Sequence, residues 1–191
     1  MLHTQMFRRL FASVALVAAT SACGDVIRQG KSPVVLVIDK LTGTLQSDVV
    51  VNKCTPPAAP CPTIFNDMGQ ATMHLVPKDI LIDPTPNNQV TITRYHVTYR
   101  RADGRNTPGV DVPFGFDGAL TGTIPEGGTA SFDFELVRHV AKEESPLAQL
   151  ATSPNVINTI AEITFYGTDL VGNAVSATGF MTIEFGNFGD Q

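Results

Sequence analysis

Apolar and polar residues alternate along several stretches of the chain, and this pattern predicts strands. The strongest signal covers residues 90–101, where Tyr95, Val97 and Tyr99 fall on one face and polar residues fall on the other. Residues 129–137 alternate as cleanly, which is typical of a half-buried antiparallel strand. The same reasoning predicts further strands over residues 33–38, 44–51, 71–76, 119–124, 160–168 and 174–185.

Turn residues separate these stretches and leave room for one helix. Asp103 and Gly104 mark a turn after the strongest strand, and residues 169–173 form a Gly-containing connection between the last two strands. A helix is predicted over residues 142–151, with Pro146 at its first helical position. About six to eight strands at this spacing predict an all-β fold, an antiparallel β-sandwich with one short helix between late strands.

The order of these elements resembles immunoglobulin-like and fibronectin type III-like domains. The resemblance rests on the strand with Tyr95, Val97 and Tyr99 and on the final pair, EITFYGTDLVGNAVSATGFMTIEF, whose Asp-x-x-Gly-Asn turn recurs in bacterial immunoglobulin-like domains. It implies an immunoglobulin-like β-sandwich built as a single domain over residues 33–186, with a frayed tail at 187–191. The chain departs from the family in having no Trp for the core and no Cys pair between the sheets.

The first 22 residues have the order of a secretory signal peptide. Arg8 and Arg9 precede a ten-residue apolar run, residues 10–19, and small residues follow it as far as Cys23. Ten residues form a helix of about 15 Å, whereas the hydrocarbon core of a bilayer is about 30 Å thick. The run is therefore too short to span a membrane comfortably.

Residues 16–23, LVAATSAC, resemble the lipobox of bacterial lipoproteins. The resemblance implies that Cys23 carries a diacylglycerol, becomes the first mature residue and begins a lipidated tether over residues 23–32. Two or more acyl chains anchor a protein stably in a membrane. Because Gly24 rather than Asp follows the Cys, the resemblance favours the outer over the inner membrane of a bacterial cell envelope. The alternative is an ordinary signal peptide cut after Ala22, with Cys23 a free thiol.

The chain that remains after such cleavage is acidic. Removal of residues 1–22 leaves 11 basic and 18 acidic residues, a net charge of −7. This charge opposes nucleic acid and anionic lipid head groups as partners. The remaining length is sufficient for one domain with a substantial core.

Two further cysteines, Cys54 and Cys61, stand at the ends of the Pro-rich segment CTPPAAPC. Export to an oxidising compartment predicts a disulfide between them. Closing so short a loop contributes about 2.5 kcal/mol in the chain-entropy account. A metal-binding pair is the alternative, but the wide, Pro-rich spacing and the lack of a neighbouring His weigh against it.

The chain lacks the common catalytic and nucleotide-binding motifs, among them GxSxG, HExxH, the phosphate-binding loop and the dinucleotide-binding glycine pattern. We therefore expect no enzymatic activity, no cofactor and no metal site. Four loop carboxylates raise calcium binding as an alternative, although turn chemistry alone favours Asp at such positions: Asp103, Asp111, Asp117 and Asp169.

Two groups of residues are candidates for contact with a partner. Phe114 and Phe116 lie in a loop rich in Gly and Pro, where exposed aromatic residues would form a contact loop and buried ones would close the end of the core. A basic stretch is either an anion-binding patch or, as we favour, a solvated set of ion pairs: Arg94, Arg100, Arg101 and Arg105.

Together these features predict a membrane-anchored cell-envelope lipoprotein whose sandwich is a non-catalytic binding or structural module for an envelope protein. The alternative is binding of carbohydrate or another surface ligand by the same sandwich. The lack of Trp weighs against sugar binding, whereas an exposed row of Tyr95, Tyr99 or Phe116 would favour it. A third hypothesis is an enzyme whose site is assembled from distant loops.

Overall fold

The computed structural model describes residues 31–51, 63–81 and 85–188. The signal peptide, Cys23 and most of the tether lie outside these residues, as do Cys54 and Cys61. The lipid anchor and the disulfide therefore stay predictions. Among the described residues, none of the helices has the length and hydrophobicity of a membrane span.

Strands make up most of the described chain. Their bounds are β1 (Val34–Gly43), β2 (Gln46–Asp48), β3 (Asp67–Pro77), β4 (Val90–Arg100), β5 (Phe116–Ile124), β6 (Thr129–Val137), β7 (Ile157–Asp169) and β8 (Ala174–Gly186). Helical structure within the described residues consists of a four-residue helix, α1 (His139–Lys142), and two 3-10 segments at Pro86–Asn88 and Leu147–Thr152.

The strands form two sheets around one apolar core. One sheet has the order β1-β3-β6 and is antiparallel throughout. The other has the order β2-β8-β7-β4-β5, in which only β2 and β8 are parallel neighbours. The predicted all-β fold with two sheets and a short helix between late strands is confirmed. The largest difference in length concerns the strand predicted over residues 44–51, of which only three residues, those of β2, form a strand.

Burial alternates along β4, but its phase changes once. Val90 and Ile92 are buried at even positions, and Tyr95, Val97 and Tyr99 are buried at odd positions. A register shift just after Ile92, in the pairing with both neighbouring strands, marks a bulge. The extra residue brings all five side chains to the core. The predicted common face of Tyr95, Val97 and Tyr99 is confirmed.

Three aromatic rings occupy the centre of the core. The sequence has no Trp that could fill this space. Tyr95 of β4 lies 5.4 Å from Phe134 of β6 and 6.2 Å from Phe165 of β7, between ring centroids. Phe134 and Phe165 meet edge to face at 5.3 Å. Because Phe134 belongs to the smaller sheet and the other two to the larger, this aromatic cluster joins the two sheets. Edge-to-face contacts of this kind add stability beyond the area they bury.

Two tyrosine hydroxyls also join the sheets. The Tyr99 hydroxyl donates to the Leu136 carbonyl oxygen at 2.6 Å, and the Tyr95 hydroxyl accepts from the Glu135 amide at 3.1 Å. Burial raises the pKa of both phenols, because a phenolate in the core would lose its solvation. The neutral phenols are therefore the forms that the folded state favours.

Tyr99→Phe is expected to lower the free energy of unfolding near neutral pH by about 1–3 kcal/mol, because it leaves a buried carbonyl without its donor. The folded phenol has a raised pKa, so its contribution is complete below pH of about 10 and is lost as pH rises further. Urea unfolding from neutral to alkaline pH should therefore show a shallower alkaline decline for the variant. Equal slopes for the two proteins would contradict this account.

The helix predicted over residues 142–151 is wrong as a single element. The chain instead forms α1, a turn and the 3-10 segment Leu147–Thr152. Leu147 and Leu150 are both buried in that segment, and their spacing of three matches the three residues per turn of a 3-10 helix. Core packing therefore selects the tighter helix at this place.

Lys142, the last residue of α1, is a charged residue that points into the protein. Its Nζ donates to the Asp48 carbonyl oxygen at 2.8 Å and lies 3.0 Å from Asp67 Oδ2. The Ser47 hydroxyl donates to the same carboxylate oxygen at 2.5 Å. These contacts fix β2 and α1 against the start of β3. We call this group the Lys142 cluster: Ser47, Asp48, Asp67 and Lys142.

Candidate functional site

The connection between β4 and β5, residues 101–115, is held in shape by its own hydrogen bonds. The Arg101 amide donates to Asn106 Oδ1 at 2.6 Å. The Thr107 carbonyl oxygen accepts from the Asp111 amide at 2.8 Å, while Asp111 Oδ2 accepts from the Thr107 amide at 3.1 Å. The Gly109 amide donates to the Val112 carbonyl oxygen at 2.8 Å. This segment, which we call the contact loop, is therefore preorganised.

Phe114 lies on the outside of the contact loop. Its side chain is 56% exposed, and the neighbouring loop residue Val110 is exposed as well. The Phe114 ring rests on Gly109, where an added Cβ would stand 2.4 Å from its Cζ. Gly109 also has a φ of +75°, which favours glycine. The loop backbone thus supports an aromatic ring without burying it.

Phe116 has a different position from Phe114, although the two are close in sequence. It begins β5, is half-buried and meets the Tyr95 ring edge to face at 6.2 Å. The Arg138 guanidinium covers its other side, 4.0 Å from the ring centroid. The structure divides the candidate pair: Phe114 is exposed to solvent, and Phe116 closes the rim of the core.

The basic stretch is neutralised by acidic neighbours. Asp103 Oδ2 lies 2.7 Å from Arg101 Nη2 and 2.9 Å from Arg105 Nη2, and hydrogen bonds from these two guanidinium groups hold the Asp103 pKa well below its usual range. Arg94 pairs with Asp117 at 3.3 Å. Arg100 pairs with Glu162 at 2.8 Å. These contacts favour the interpretation as ion pairs over an anion-binding patch.

The candidate calcium ligands do not converge. Asp103, Asp111 and Asp117 lie at or near the contact loop, whereas Asp169 ends β7 at the opposite end of the domain. Burial acts to raise the Asp169 pKa, but hydrogen bonds, chiefly from Asn173, outweigh burial and lower it. Among residues 31–51, 63–81 and 85–188, no three His, Cys, Asp or Glu side chains are grouped to hold a metal ion.

The three histidines of the domain also lie apart. His74 is 2.7 Å from Asp39, His96 is 3.2 Å from Asp117, and His139 contacts Asn66 at 2.9 Å. Each ring is therefore engaged in a separate local contact, and the structure does not place the histidines in one site.

The residues that would favour sugar binding are not displayed as a row. Tyr95 and Tyr99 are buried, and Phe116 lies under Arg138. A shallow open cleft runs along the edge where β2 meets β8, and its described lining contains no aromatic residue: Leu45, Gln46, Thr182 and Glu184.

Comparison with known proteins gives distant similarity in shape. No family model matches the chain, and no curated protein matches it. A crystal structure named as an ApaA protein from Bordetella pertussis is 11% identical, covers 80% of this chain and 94% of its own, and has a TM-score of 0.38. A solution structure named as a late embryogenesis abundant protein is 10% identical, covers 95% of this chain and 87% of its own, and has a TM-score of 0.41. Similarity at this level assigns neither a family nor a function.

Proposed function

We propose that this protein is a lipid-anchored module of the bacterial cell envelope, without catalytic activity, that binds an envelope protein through its contact loop. The anchor is Cys23, at the end of the lipobox-like segment. The outer membrane is the favoured location. The observation that carries the proposal is the preorganised contact loop, which presents Phe114 and Val110 to solvent.

We further propose an immunoglobulin-like sandwich. In the constant type of such domains the first, second, fourth and fifth strands form one sheet, and the third, sixth and seventh form the other. With the short β2 set aside, the orders β1-β3-β6 and β8-β7-β4-β5 agree with this arrangement except that the fourth strand, β5, joins the second sheet. Tyr95 on β4 supplies a core aromatic residue in the strand where immunoglobulin domains have Trp, which also supports the assignment.

The contact loop lies at the end of the domain away from the anchor. The residues that follow the tether, Ser32 to Val34, lie next to Asp169 and Pro77. Asp169 in turn pairs with Val90 at the start of β4. The contact loop follows Arg100 at the other end of β4. Eleven strand residues at about 3.3 Å each separate the two ends by about 35 Å. A lipid-anchored domain would therefore hold Phe114 towards a partner, clear of the membrane.

Rigid aromatic residues are effective contacts because little conformational entropy is lost when they bind. Phe114→Ala should therefore lower recovery of the partner by about tenfold or more, the effect typical of an interface anchor. Mild crosslinking in intact cells of its host, followed by affinity purification and mass spectrometry, measures that recovery. Stability should change little, because the Phe114 side chain is largely exposed already.

Phe180→Ala is the matched control. Phe180 lies on β8, far in sequence from the contact loop, and its side chain is 63% exposed. The proposal predicts that this variant retains the partner. Equal recovery from both variants, or no enriched envelope protein with the unaltered chain, would contradict binding through the contact loop.

A further inference from the structure

The end of the domain where the chain enters displays two pairs of aliphatic side chains. Ile80 and Leu81, in the connection after β3, are 89% and 88% exposed. Leu170 and Val171, in the turn between β7 and β8, are exposed as well. Single apolar residues on a surface need no explanation, whereas two adjacent aliphatic pairs in two loops at the same end of the domain do. We call these four residues the apolar tips.

Both loops are joined to the segment through which the chain enters. The Lys78 amide, two residues before Ile80, donates to the Pro33 carbonyl oxygen at 2.8 Å. The buried Ser32 side chain hydrogen-bonds to the Asp169 carboxylate, which directly precedes Leu170. The apolar tips therefore lie on either side of the point where the tether reaches the domain.

Local hydrogen bonds hold the apolar tips in place. Asp79 Oδ1 accepts from the Leu81 amide at 2.9 Å. Asp169 Oδ1 accepts from the Val171 amide at 3.0 Å and from the Asn173 amide at 2.8 Å. Turns of this type are formed without help from the aliphatic side chains. Those side chains are therefore displayed by the turns rather than needed to build them.

The length of the tether keeps the apolar tips close to the anchor. Ser32 is nine positions after Cys23, and a fully extended chain covers at most about 32 Å over that distance. A lipidated Cys23 would thus confine this end of the domain to the neighbourhood of the bilayer at high effective concentration. The contact loop, at the far end of β4, is held away from it.

We propose that the apolar tips insert into the lipid interface beside the anchor and orient the domain upright on the membrane; this inference rests on the proposed lipidation of Cys23. Aliphatic side chains that enter the boundary between head groups and acyl chains bind in proportion to the apolar area they bury. The predicted net charge of the mature chain is −7, so the attraction is apolar and does not depend on anionic lipid. The aliphatic composition of the tips favours lipid over protein, because Leu and Val are under-represented among the residues that dominate binding in protein interfaces.

The absence of Trp from the sequence allows a direct test. Leu81→Trp and Val171→Trp each place the sole indole of the protein in one tip, and Val110→Trp places it in the contact loop as a control. Each full-length protein is purified from membranes of the host and reconstituted into neutral phosphatidylcholine vesicles, with or without bromine on the acyl chains. Bromine quenches an indole only at close range.

Brominated vesicles should reduce the emission of the two tip variants by about twofold and leave Val110→Trp unchanged, because only the tips lie at the interface. Proteins that float with the vesicles but show equal emission for tip and control variants would overturn the insertion while leaving the anchor intact. A blue shift without quenching, together with a dimer mass, would also overturn it by showing that a second copy covers the tips. Failure to float, with an unmodified Cys23, would overturn both proposals.

Discussion

Lys142→Met is expected to lower the free energy of unfolding by about 3–5 kcal/mol, because removing one member of a buried ion pair leaves the other charge uncompensated. Lys142 Nζ is buried between the Asp67 carboxylate and the Asp48 carbonyl oxygen. Methionine matches the length of the stem but offers no donor. Among the described residues, Ser47 would still donate its hydrogen bond to the Asp67 carboxylate.

Urea unfolding of the variant measures this cost, and Lys40→Met serves as a control on the exposed part of β1. The control should change stability by less than about 0.5 kcal/mol. Adding Asp67→Asn to Lys142→Met should recover part of the lost free energy of unfolding, because an amide at position 67 leaves no uncompensated charge in the protein. Equal unfolding midpoints for Lys142→Met and Lys40→Met would contradict the stabilising role of the Lys142 cluster.

Phe165→Ala is expected to lower the free energy of unfolding by about 3–5 kcal/mol, the usual cost of removing a buried aromatic ring. Phe165 is fully buried and contacts both Tyr95 and Phe134. A chain without Trp depends on these rings to fill the space between its sheets. The cavity left by the substitution would lie at the centre of the core.

The comparison for this second prediction is again Phe180→Ala, which removes the same side chain from the exposed face of the adjacent strand. Denaturant unfolding should separate the two variants by several kcal/mol, about 3 or more. A loss below about 1 kcal/mol for Phe165→Ala would show that the aromatic cluster is not the centre of the core.

The strands were predictable because their alternation reports directly on a face that each strand buries. Residues 129–137 and 90–101 are found almost as predicted, and the common face of Tyr95, Val97 and Tyr99 is confirmed. The bulge after Ile92 was not predictable from alternation, because β-branched and polar residues around it fit either phase.

The predicted helix failed because tertiary packing decided its type. Leu147 and Leu150 are consistent with an α-helix or a 3-10 helix, and only their burial against the sheets selects the second. The Lys142 cluster has no local signal either. Lys142 and Asp48 are 94 residues apart, so no spacing rule could have joined them.

The candidate site was partly predictable. The Gly and Pro residues around Phe114 and Phe116 predicted that both lie in one loop. Their exposure, however, depends on where β5 begins, and Phe116 is the first residue of β5. One signal for the supporting geometry was present: the Pro-Gly pair at 108–109 marks a turn that can approach an aromatic ring closely. The apolar tips carried a similar signal in their Asp-containing turns.

The anchor is tested most directly by mass spectrometry of the mature amino-terminal peptide, from protein purified from membranes of its bacterial host. Trypsin would release residues 23–28, because Arg28 is the first basic residue after Cys23. We expect a mature chain that begins at an acylated Cys23 and incorporates a palmitate analogue during growth. The Cys23→Ala variant should carry no label and should no longer be found in the membrane fraction. A mature chain that begins with an unmodified Cys23 thiol, and that leaves the membrane as readily as Cys23→Ala, would contradict the proposed anchor.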